Sequence, residues 1–465
     1  MGFFCVEKLV SWVGETGLLH KEEGAPAVTR SQAAKLNKII KNRREKKMDL
    51  LKDLEYRGLI NQVTDFEGLQ KQLEEGQLTL YCGFDPTADS LHIGHLLTVL
   101  TLRRFQLAGN KPLALVGGAT GLIGDPSGKK AERTLNEKEI VIQFSNRIKG
   151  QLSRFLDFDG ENAAQIVNNY DWIGNLDVIS FLRDVGKNFG INYMLAKDSV
   201  ESRIHSGISF TEFSYMILQS YDFLKLFEKE NCRLQIGGSD QWGNITAGLE
   251  LIRKSTTEEA KAFGFTIPLV TKSDGTKFGK TEGGAIWLDE EKTSPYELYQ
   301  FFINTDDRDV VKFLKYFTFL AHEEINVLEE EVRTAPEKRS AQRKLAEEVT
   351  KLIHGEEALS QAIRISEALF SGDIAALNAT EIKQGFKDVP SYQCAEDEIN
   401  LLELLVAAKI SSSKRQGRED IQNGAIYVNG VRTTELDKVI TKEDRIEDQF
   451  TIIRRGKKKY FLIKY

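Results

Sequence analysis

The chain of 465 residues lacks any apolar run of the roughly 20 residues that cross a bilayer, which argues against a membrane span. Cysteine is scarce, and Cys5, Cys82, Cys232 and Cys394 lie far apart, without the Cys-x-x-Cys pair that begins many zinc sites. Free thiols in a reducing cytosol fit this pattern. Positive charge is not in excess, since 63 Lys and Arg face 69 Asp and Glu. The chain is therefore not a protein that coats nucleic acid over its whole surface.

The first 47 residues lack the character of a targeting segment. Met1 to Leu19 carries apolar residues with some helical spacing, but Glu7 and Glu15 are foreign to a secretory signal or a transit peptide. The basic run from Lys35 to Lys47 is typical of a solvated or disordered linker. An amphipathic helix pattern begins at Met48, so we expect an N-terminal extension over 1–47 and hypothesise that Met48 is the native start. The alternative is an appended tether whose basic run contacts RNA.

The rest of the chain divides into units of different pattern. Between residues 48 and 270, short apolar runs such as Leu78 to Phe84 and Cys232 to Ile236 alternate with helical patterns such as Leu96 to Ala108. This alternation is typical of βαβ units, so we predict an α/β fold with a Rossmann-like parallel sheet. After it we expect a loop and linker over 271–292, an all-α domain over 293–388, a polar linker over 389–399 and a small α+β domain over 400–465.

Two of the six histidines, His92 and His95, flank Gly94 shortly after the strand pattern that ends at Phe84. On a helix they would share a face, but no nearby cluster supplies the further ligands that zinc requires, so we expect no metal site. A core position rarely selects histidine twice, and glycine in a helix costs about 1 kcal/mol relative to alanine. A helix N-terminus binds anions, and imidazole N–H groups add donors there. We therefore predict a nucleoside triphosphate as the ligand.

A second cationic element lies far downstream, where Lys277 and Lys280 occur in a loop with glycines at 275, 279, 283 and 284. The glycines favour a mobile segment. Its glycine spacing is one residue short of a P-loop, and a solvated lysine loop is the alternative interpretation. Together with the histidine pair, we favour contact with phosphate. The stretch from Gly117 to Gly128 also lacks the G-x-G-x-x-G spacing of a dinucleotide site.

The segments His92-Ile-Gly-His95 and Lys277-Phe-Gly-Lys280-Thr281 resemble the HIGH and KMSKS motifs of class I aminoacyl-tRNA synthetases, the second in a variant form. Within that class the chain is similar to the bacterial tyrosyl-tRNA synthetases from Met48 to Tyr465. The segments that carry this likeness are 81–90, 117–128, 210–222 and 235–244. The resemblance implies a cytoplasmic ligase without a tightly bound cofactor. It would use ATP with Mg²⁺ to form tyrosyl-adenylate and then transfer tyrosine to the 3′ end of tRNA(Tyr).

The resemblance also implies roles for single residues on the ATP side of the site. His92 and Thr87 would contact the phosphates, His95 the ribose, and Lys277 and Lys280 the departing pyrophosphate. Such a site would act by positioning and charge stabilisation, because no covalent enzyme intermediate is formed. The positions that match ATP-binding residues are Gly83, Asp85, Gly94, Gly238, Asp240 and Lys280.

For the amino acid, the resemblance implies that Tyr81 and Asp222 hold the phenolic hydroxyl of tyrosine. Phenylalanine would leave that carboxylate buried and unpaired. The residues that match the ammonium-binding positions are Asp125, Tyr215 and Gln219, and Gln241 would lie near the substrate carboxylate. Taken singly, Tyr81 on a strand and Tyr215 on a helix are more typical of core aromatics.

The last part of the chain combines cations with aromatic residues, which is what an RNA surface requires. It resembles the S4 RNA-binding module, and the helical domain before it would bind the anticodon region. The candidate tRNA contacts are Lys414, Arg415, Arg418, Arg454, Arg455, Lys457, Lys458 and Lys459. The alternative for a basic carboxyl terminus is a solvated tail. The family further implies a homodimer paired around Asp184 to Ser199, with one tRNA spanning both subunits.

Three competing functions remain at this point. A tryptophanyl-tRNA synthetase shares both motifs, but an acid at Asp222 beside Tyr81 favours a phenol over an indole. An RNA-binding protein with an inactive catalytic domain is disfavoured because both histidines and both lysines are intact. A nicotinamide-dependent oxidoreductase is disfavoured by the glycine spacing.

Overall fold

The computed structural model describes residues 50–128, 135–205, 207–256, 261–276, 278–281, 284–387, 389–456 and 459–465. The extension predicted over 1–47 lies outside the described residues. A helix, α1, occupies residues 50–56 at the beginning of the described chain. The α/β domain expected from Met48 is therefore helical from its first described residue.

The first domain is built on a six-stranded sheet with the order β1-β6-β5-β2-β3-β4. Strands β2 to β6 are parallel to one another, and the two-residue strand β1 adds to β6 in the antiparallel sense. The strands are β1 (Gln62–Val63), β2 (Thr79–Phe84), β3 (Lys111–Val116), β4 (Gln165–Asn168), β5 (Cys232–Gly238) and β6 (Phe263–Ile267). The predicted parallel sheet is confirmed, with one antiparallel edge strand that the sequence did not reveal.

Helices cover both faces of this sheet, as buried parallel strands require. They are α2 (Phe66–Glu75), α3 (Ile93–Leu107), α4 (Lys138–Leu152), α5 (Tyr170–Ile173), α6 (Val178–Ser180), α7 (Ile191–Leu195), α8 (Asp198–Glu201), α9 (Phe210–Glu230) and α10 (Trp242–Ser255). The long helix α9 begins where the Ser209 hydroxyl accepts from the Glu212 N–H, and it ends at Asn231, whose φ of 51° is left-handed. The segment 271–292 contains a short antiparallel hairpin of β7 (Lys280–Thr281) and β8 (Gly284–Ala285).

The second domain is helical, as predicted. Its helices are α11 (Pro295–Ile303), α12 (Asp307–Phe317), α13 (His322–Thr334), α14 (Ser340–Ser371) and α15 (Ala379–Gly385). A capping box between Ser294 and Glu297, with proline at the first helical position, fixes the start of α11. Gly355, with φ 89°, interrupts α14, and Gly372, also with φ 89°, ends it. Buried side chains from this domain join the core formed by the face of the sheet that α3 covers.

The third domain contains the helices α16 (Leu401–Ala407) and α17 (Lys414–Gln422) and a five-stranded sheet in the order β12-β11-β14-β15-β9. The strands are β9 (Ser391–Gln393), β11 (Ile426–Val428), β12 (Val431–Thr433), β14 (Phe450–Arg455) and β15 (Lys459–Lys464), while β10 (Ile399–Asn400) pairs with β13 (Val439–Ile440). Strand β9 lies within the segment 389–399 that the sequence predicts to be a linker. It pairs in parallel with β15, so this domain begins before residue 400.

Candidate active site

The candidate site lies at the carboxyl ends of the parallel strands, where β2 and β5 are neighbours although about 150 positions separate them in the chain. The chain leaves β2 toward β3 on one side, while β5 continues to β6 on the other. Ligands of open α/β sheets bind in the crevice that such a reversal of strand order creates. Gly83 is the exposed position of the otherwise largely buried β2, so the backbone is open to a ligand there.

The histidine pair caps the helix that follows β2. His92 is the N-cap of α3, and its Nδ1 accepts from the Gly94 N–H at 3.1 Å. The His92 N–H in turn donates to Nδ1 of His95 at 3.2 Å, and the two rings stack with centroids 3.9 Å apart. Because both Nδ1 atoms accept, the neutral rings carry their protons on Nε2. The helix N-terminus therefore gains two imidazole donors.

Gly94 is required by the ring beside it. A Cβ at this position would lie 2.8 Å from Cε1 and 2.9 Å from Nδ1 of His92. The unfavourable glycine in this helix is thus explained by a close contact with the protein's own histidine.

The second motif lies directly against the first. The backbone N–H of Ile93 donates to the Ile286 carbonyl at 2.8 Å, and that of Leu288 donates to the Leu91 carbonyl at 2.9 Å. Residues 286–288 follow the β7–β8 hairpin, which contains Lys280 in its first strand. Two segments that are nearly 200 residues apart are thus joined by backbone hydrogen bonds. Lys277 lies outside the described residues, and so does the side chain of Lys280.

Tyr81 and Asp222 lie near each other and are buried, with 1% and 2% of their surface exposed. The Tyr81 hydroxyl has no hydrogen-bond partner among the described residues. Burial, reinforced by the nearby Asp222 carboxylate, raises the pKa of Tyr81 well above its ordinary value. A buried hydroxyl without a partner is costly, so this arrangement points to a polar group of a ligand.

Asp222 is held by two donors that the sequence did not reveal. Trp172 donates its indole N–H to one carboxylate oxygen at 2.7 Å, and the Asn169 amide donates to the other at 3.0 Å. Burial is the largest influence and raises the pKa of Asp222 to about 8, while both hydrogen bonds oppose it. The carboxyl group is thus fixed in orientation.

A polar network surrounds the adjoining part of the crevice. Tyr215 donates its hydroxyl to Asp85 at 2.7 Å, and Thr120 donates to the other Asp85 oxygen at 2.7 Å. Gly117 leaves room for this carboxylate, since a Cβ there would lie 1.9 Å from Oδ1 of Asp85. Burial and the charge of Asp85 raise the pKa of Tyr215 well above its ordinary value.

A chain of amide groups continues this network. Gln241 donates to Asp125 at 2.7 Å and accepts from Gln219 at 3.1 Å. Asn244, from the first turn of α10, donates to Gln219 at 2.9 Å. The sequence predicts Asp125, Tyr215, Gln219 and Gln241 as substrate contacts. Three of them, Asp125, Gln241 and Gln219, are joined by hydrogen bonds, and Tyr215 lies near Asp125 and bonds to Asp85.

The remaining ATP-side candidates lie at the rim. Asp240 is exposed in the 3₁₀ turn Ser239–Gln241 that follows β5. A Cβ on Gly238 would lie 2.6 Å from Oδ1 of Asp240, so this position also favours glycine. Thr87 is exposed in the turn after β2, and its N–H donates to the Asp85 carbonyl at 2.8 Å.

The basic residues of the third domain differ in how they are engaged. Lys414 pairs with Glu403 at 2.9 Å on the surface, and Arg415 lies 3.4 Å from Glu419. Arg455 pairs with Asp420 at 2.9 Å, whereas the guanidinium of Arg454 lies 3.9 Å from the ring centre of Tyr427. Lys457 and Lys458 lie outside the described residues. Lys459 and Arg418 are exposed.

Membrane-spanning helices and metal clusters are both absent from the part of the chain that the structure describes. None of the helices in that part is long and apolar enough to cross a membrane. Within the same residues, no group of three or more His, Cys, Asp or Glu side chains is arranged to hold a metal ion.

The fold and the paired motifs agree with a family model. Residues 46–371, well over half of the chain, match a model described as tRNA synthetases class I (W and Y). The chain belongs to this family, the class I tRNA synthetases for tryptophan and tyrosine. Residues 381–463 match a second model, described as the Tyrosine--tRNA ligase SYY-like C-terminal domain.

Curated relatives narrow the assignment. The chain is 73% identical over 419 residues to the tyrosine-tRNA ligase of Geobacillus stearothermophilus, covering 90% of this chain and 100% of that protein. It is 72% identical over 419 residues to tyrosine-tRNA ligase 1 of Bacillus subtilis strain 168, covering 90% and 99%. Within the family, the chain thus belongs with the bacterial-type tyrosine-tRNA ligases, and the resemblance drawn from the sequence is confirmed.

A solved structure supports the same assignment. The C-terminally truncated mitochondrial tyrosyl-tRNA synthetase of Aspergillus nidulans superposes with a TM-score of 0.64 at 32% identity, covering 71% of this chain and 99% of that one. The α/β fold predicted from the sequence is confirmed by this likeness.

Proposed function

We propose that the site performs the two-step reaction of its family with the residues named above. A carboxylate oxygen of tyrosine attacks the α-phosphorus of ATP, the bond to the β-phosphate oxygen breaks, and pyrophosphate leaves. A ribose hydroxyl at the 3′ end of tRNA(Tyr) then attacks the carbonyl carbon of tyrosyl-adenylate, and AMP leaves. Mg²⁺ enters with ATP as part of that substrate.

The observation that carries the choice of amino acid is the unpartnered Tyr81 hydroxyl beside the fixed carboxyl group of Asp222. A phenol donates one hydrogen bond and accepts another, so it satisfies both groups at once. Phenylalanine offers no polar group to either side chain and leaves the buried Tyr81 hydroxyl without a partner. An indole N–H only donates, so tryptophan leaves the Tyr81 hydroxyl without an acceptor.

The neighbouring network suits the rest of the amino acid. Asp125, Tyr215 and Gln219 offer oxygen atoms to an ammonium group, with the Asp125 carboxylate as the charged partner. Gln241 lies between Asp125 and Gln219, where its amide can turn toward the substrate carboxylate. This network holds the ammonium and carboxylate end of tyrosine, while Tyr81 and Asp222 hold the phenol end. Fixing both ends of the substrate reduces the entropy lost in the reaction.

ATP fits across the carboxyl ends of β2 and β5. The Nε2–H groups of His92 and His95 donate toward the phosphate and ribose at the N-terminus of α3, where the helix dipole favours negative charge. Thr87 adds a hydroxyl on the phosphate side. Asp240 binds the ribose hydroxyls, and the exposed Gly83 leaves the backbone open to ATP. Asp85, Gly94 and Gly238 line the same side of the site. Lys277 and Lys280 neutralise the departing pyrophosphate.

We further propose that the enzyme is a cytoplasmic homodimer. Four apolar side chains just before and within the predicted pairing region are more than half exposed: Val178, Ile179, Leu182 and Ile191. Exposed apolar groups at this density mark an interface. The tRNA would contact the helical domain and the basic residues of the third domain, which are Lys414, Arg415, Arg418, Arg454, Arg455, Lys457, Lys458 and Lys459.

Exchange of labelled pyrophosphate into ATP, run with each amino acid in turn, tests the proposal. We expect exchange with tyrosine and none above background with phenylalanine. Exchange with tryptophan in place of tyrosine would show that the enzyme activates tryptophan, the other amino acid used by this family. Exchange with no amino acid would contradict the proposed reaction.

A further inference from the structure

Phe278, which lies between the two lysines of the second motif, is inserted into the helical domain. It is 8% exposed, and its ring centre lies 4.4 Å from that of Phe313. The rings of Phe301 and Phe317 lie 5.1 and 5.3 Å away, and that of Phe302 lies at 6.0 Å. Pairs at these separations attract one another beyond the area they bury. A loop expected to be mobile throughout therefore has a fixed point in its middle.

The next residue fixes the same point against the first motif. Gly279 has φ 81°, and a Cβ there would lie 2.2 Å from Cγ2 of Ile93, the residue between His92 and Gly94. The Phe278 N–H donates to the Val270 carbonyl at 3.2 Å, and the Gly279 carbonyl accepts from the Ile286 N–H at 3.0 Å. Phe278 and Gly279 are thus clamped between the start of α3 and the helical domain.

Helix α12 also forms hydrogen bonds with residues that precede Phe278. Asp309 accepts from both the backbone N–H and the hydroxyl of Ser273, at 3.0 and 3.2 Å. Lys312 donates to the Thr271 carbonyl at 2.7 Å. Asp309 and Phe313 are four residues apart and share one face of α12. The positions of Thr271, Ser273 and Phe278 are therefore tied to the position of this helix.

We propose that Phe278 is a positioning residue for tyrosine activation, which sets the lysines on either side of it relative to the histidines of α3 by anchoring the loop on α12. This inference rests on the proposed role of Lys277 and Lys280. A misplacement of about 1 Å costs roughly a hundredfold in rate when catalysis depends on positioning. A ring that merely fills the core would affect stability and leave the kinetics unchanged.

The test compares Phe278→Leu with Phe278→Met and with a control, Phe386→Leu. Phe386 is buried in a different cluster, where its ring packs on Tyr460. We expect Phe278→Leu to lower kcat of tyrosine-dependent pyrophosphate exchange by about tenfold or more, with KM for tyrosine changed less than about twofold. Phe278→Met, which is flexible and close in volume, should recover most of the rate. The control should lower the melting temperature to a similar extent with kcat retained.

Each outcome is decisive. Equal kcat losses in Phe278→Leu and Phe386→Leu, or no loss in Phe278→Leu, would overturn the positioning role. Phe313→Leu changes the same contact from the helical domain and should reproduce the loss, and a normal kcat there would also contradict the proposal. A wild-type enzyme without tyrosine-dependent exchange would instead refute the proposed function, and a Lys280→Ala variant with normal exchange would refute the role of the lysines on which the inference rests.

Discussion

Asp222 shows how a single side chain acquires a function from its neighbours. It is buried, and donors on both oxygens come from residues about 50 positions earlier in the chain. Burial disfavours its charged form, whereas the donors favour it. A carboxyl group balanced in this way is fixed in orientation, and its charge responds to what binds beside it.

The raised pKa predicts an unusual pH dependence of stability. Unfolded Asp222 titrates near its ordinary pKa of 3.8 and the folded residue near about 8, so folding takes up a proton between these values. Asp222 therefore makes the free energy of unfolding decrease as pH rises through this window. Asp222→Asn removes the loss, so its stability relative to wild type should increase from pH 5 to pH 8 by on the order of 1 kcal/mol or more.

Thermal unfolding of both proteins at several pH values checks this expectation. The quantity to follow is the difference between the two melting temperatures, since effects common to both proteins cancel. A difference that stays constant from pH 5 to pH 8, or that moves the other way, would contradict a pKa of Asp222 near 8 in the folded protein.

The residues of the site divide by how far their partners lie in sequence. The histidine pair could be predicted because both members, the glycine between them and the preceding strand lie within one short segment. Asn169 and Trp172 were missed because nothing near them in sequence indicates that they face Asp222. A usable signal existed, since Asn169 follows β4 directly and Trp172 lies in the next turn, and polar residues after a parallel strand lie at the ligand-binding edge of the sheet.

Among the elements, helix α3 and the β7–β8 hairpin bring the two motifs of the site together. The helix supplies the imidazoles and a positive end, and the hairpin is held to it by the Ile286 and Leu288 backbone contacts. Gly279 packs on Ile93, which is fully buried. The close packing of the two motifs therefore requires a small residue at position 279.

Gly279→Ala tests that condition. The new Cβ would meet Ile93, and the φ of 81° would also strain alanine. We expect kcat of pyrophosphate exchange to fall by about tenfold or more. Gly160→Ala is the matched control, because Gly160 has φ 90° and a Cβ added there would have no heavy atom within 4 Å.

The control separates strain from contact. Gly160→Ala should lose a similar amount of stability from backbone strain and retain activity. If both variants keep full exchange activity, the packing of Gly279 on Ile93 does not govern the site.

Long, periodic elements of the fold were predictable, whereas β1, with two residues, and β9, with three, were missed because short edge strands carry no period of their own.

Across the whole molecule, Asp53 joins the first two domains. Its carboxylate pairs with Arg57 at 2.7 Å, Arg104 at 3.3 Å and His322 at 2.8 Å. Arg104 lies near the end of α3 and also donates to the Thr318 carbonyl. Burial alone would raise the pKa of Asp53, but the His322 hydrogen bond and the two arginines outweigh it and lower the pKa. This stabilisation is present at neutral pH and is lost as pH falls through the lowered pKa.

Asp53→Asn should therefore destabilise the protein far more than loss of a surface pair. Removing the charge leaves two buried arginines without their acid, at a cost on the order of 2 to 3 kcal/mol. The neighbouring pair of Arg103 and Asp157 is the control, because Asp157 is 66% exposed. Asp157→Asn should cost about 1 kcal/mol or less. Equal losses in urea unfolding of the two variants would contradict a special role for Asp53.

The proposed dimer predicts that two similar substitutions will differ in their effect on the oligomeric state. Ile191→Asp puts a charge into the exposed apolar region and should convert the dimer to a monomer in sedimentation. Phe370 is 97% exposed on the helical domain, so Phe370→Asp is a matched change outside that region. It should leave the dimer intact. A dimer that survives Ile191→Asp, or a monomeric wild type, would exclude pairing through this surface.

The central claim is that Tyr81 and Asp222 select a phenol for activation by ATP. The most direct test is the ratio of kcat/KM for tyrosine to that for phenylalanine in pyrophosphate exchange. Selectivity of about 10⁵ is already known for this enzyme family, so that magnitude is an established family property and not one deduced from the structure. The structure predicts a large ratio in wild type that collapses in Asp222→Ala through loss of tyrosine use, with KM for ATP nearly unchanged. A small wild-type ratio, or equal damage to tyrosine and ATP use in Asp222→Ala, would contradict it.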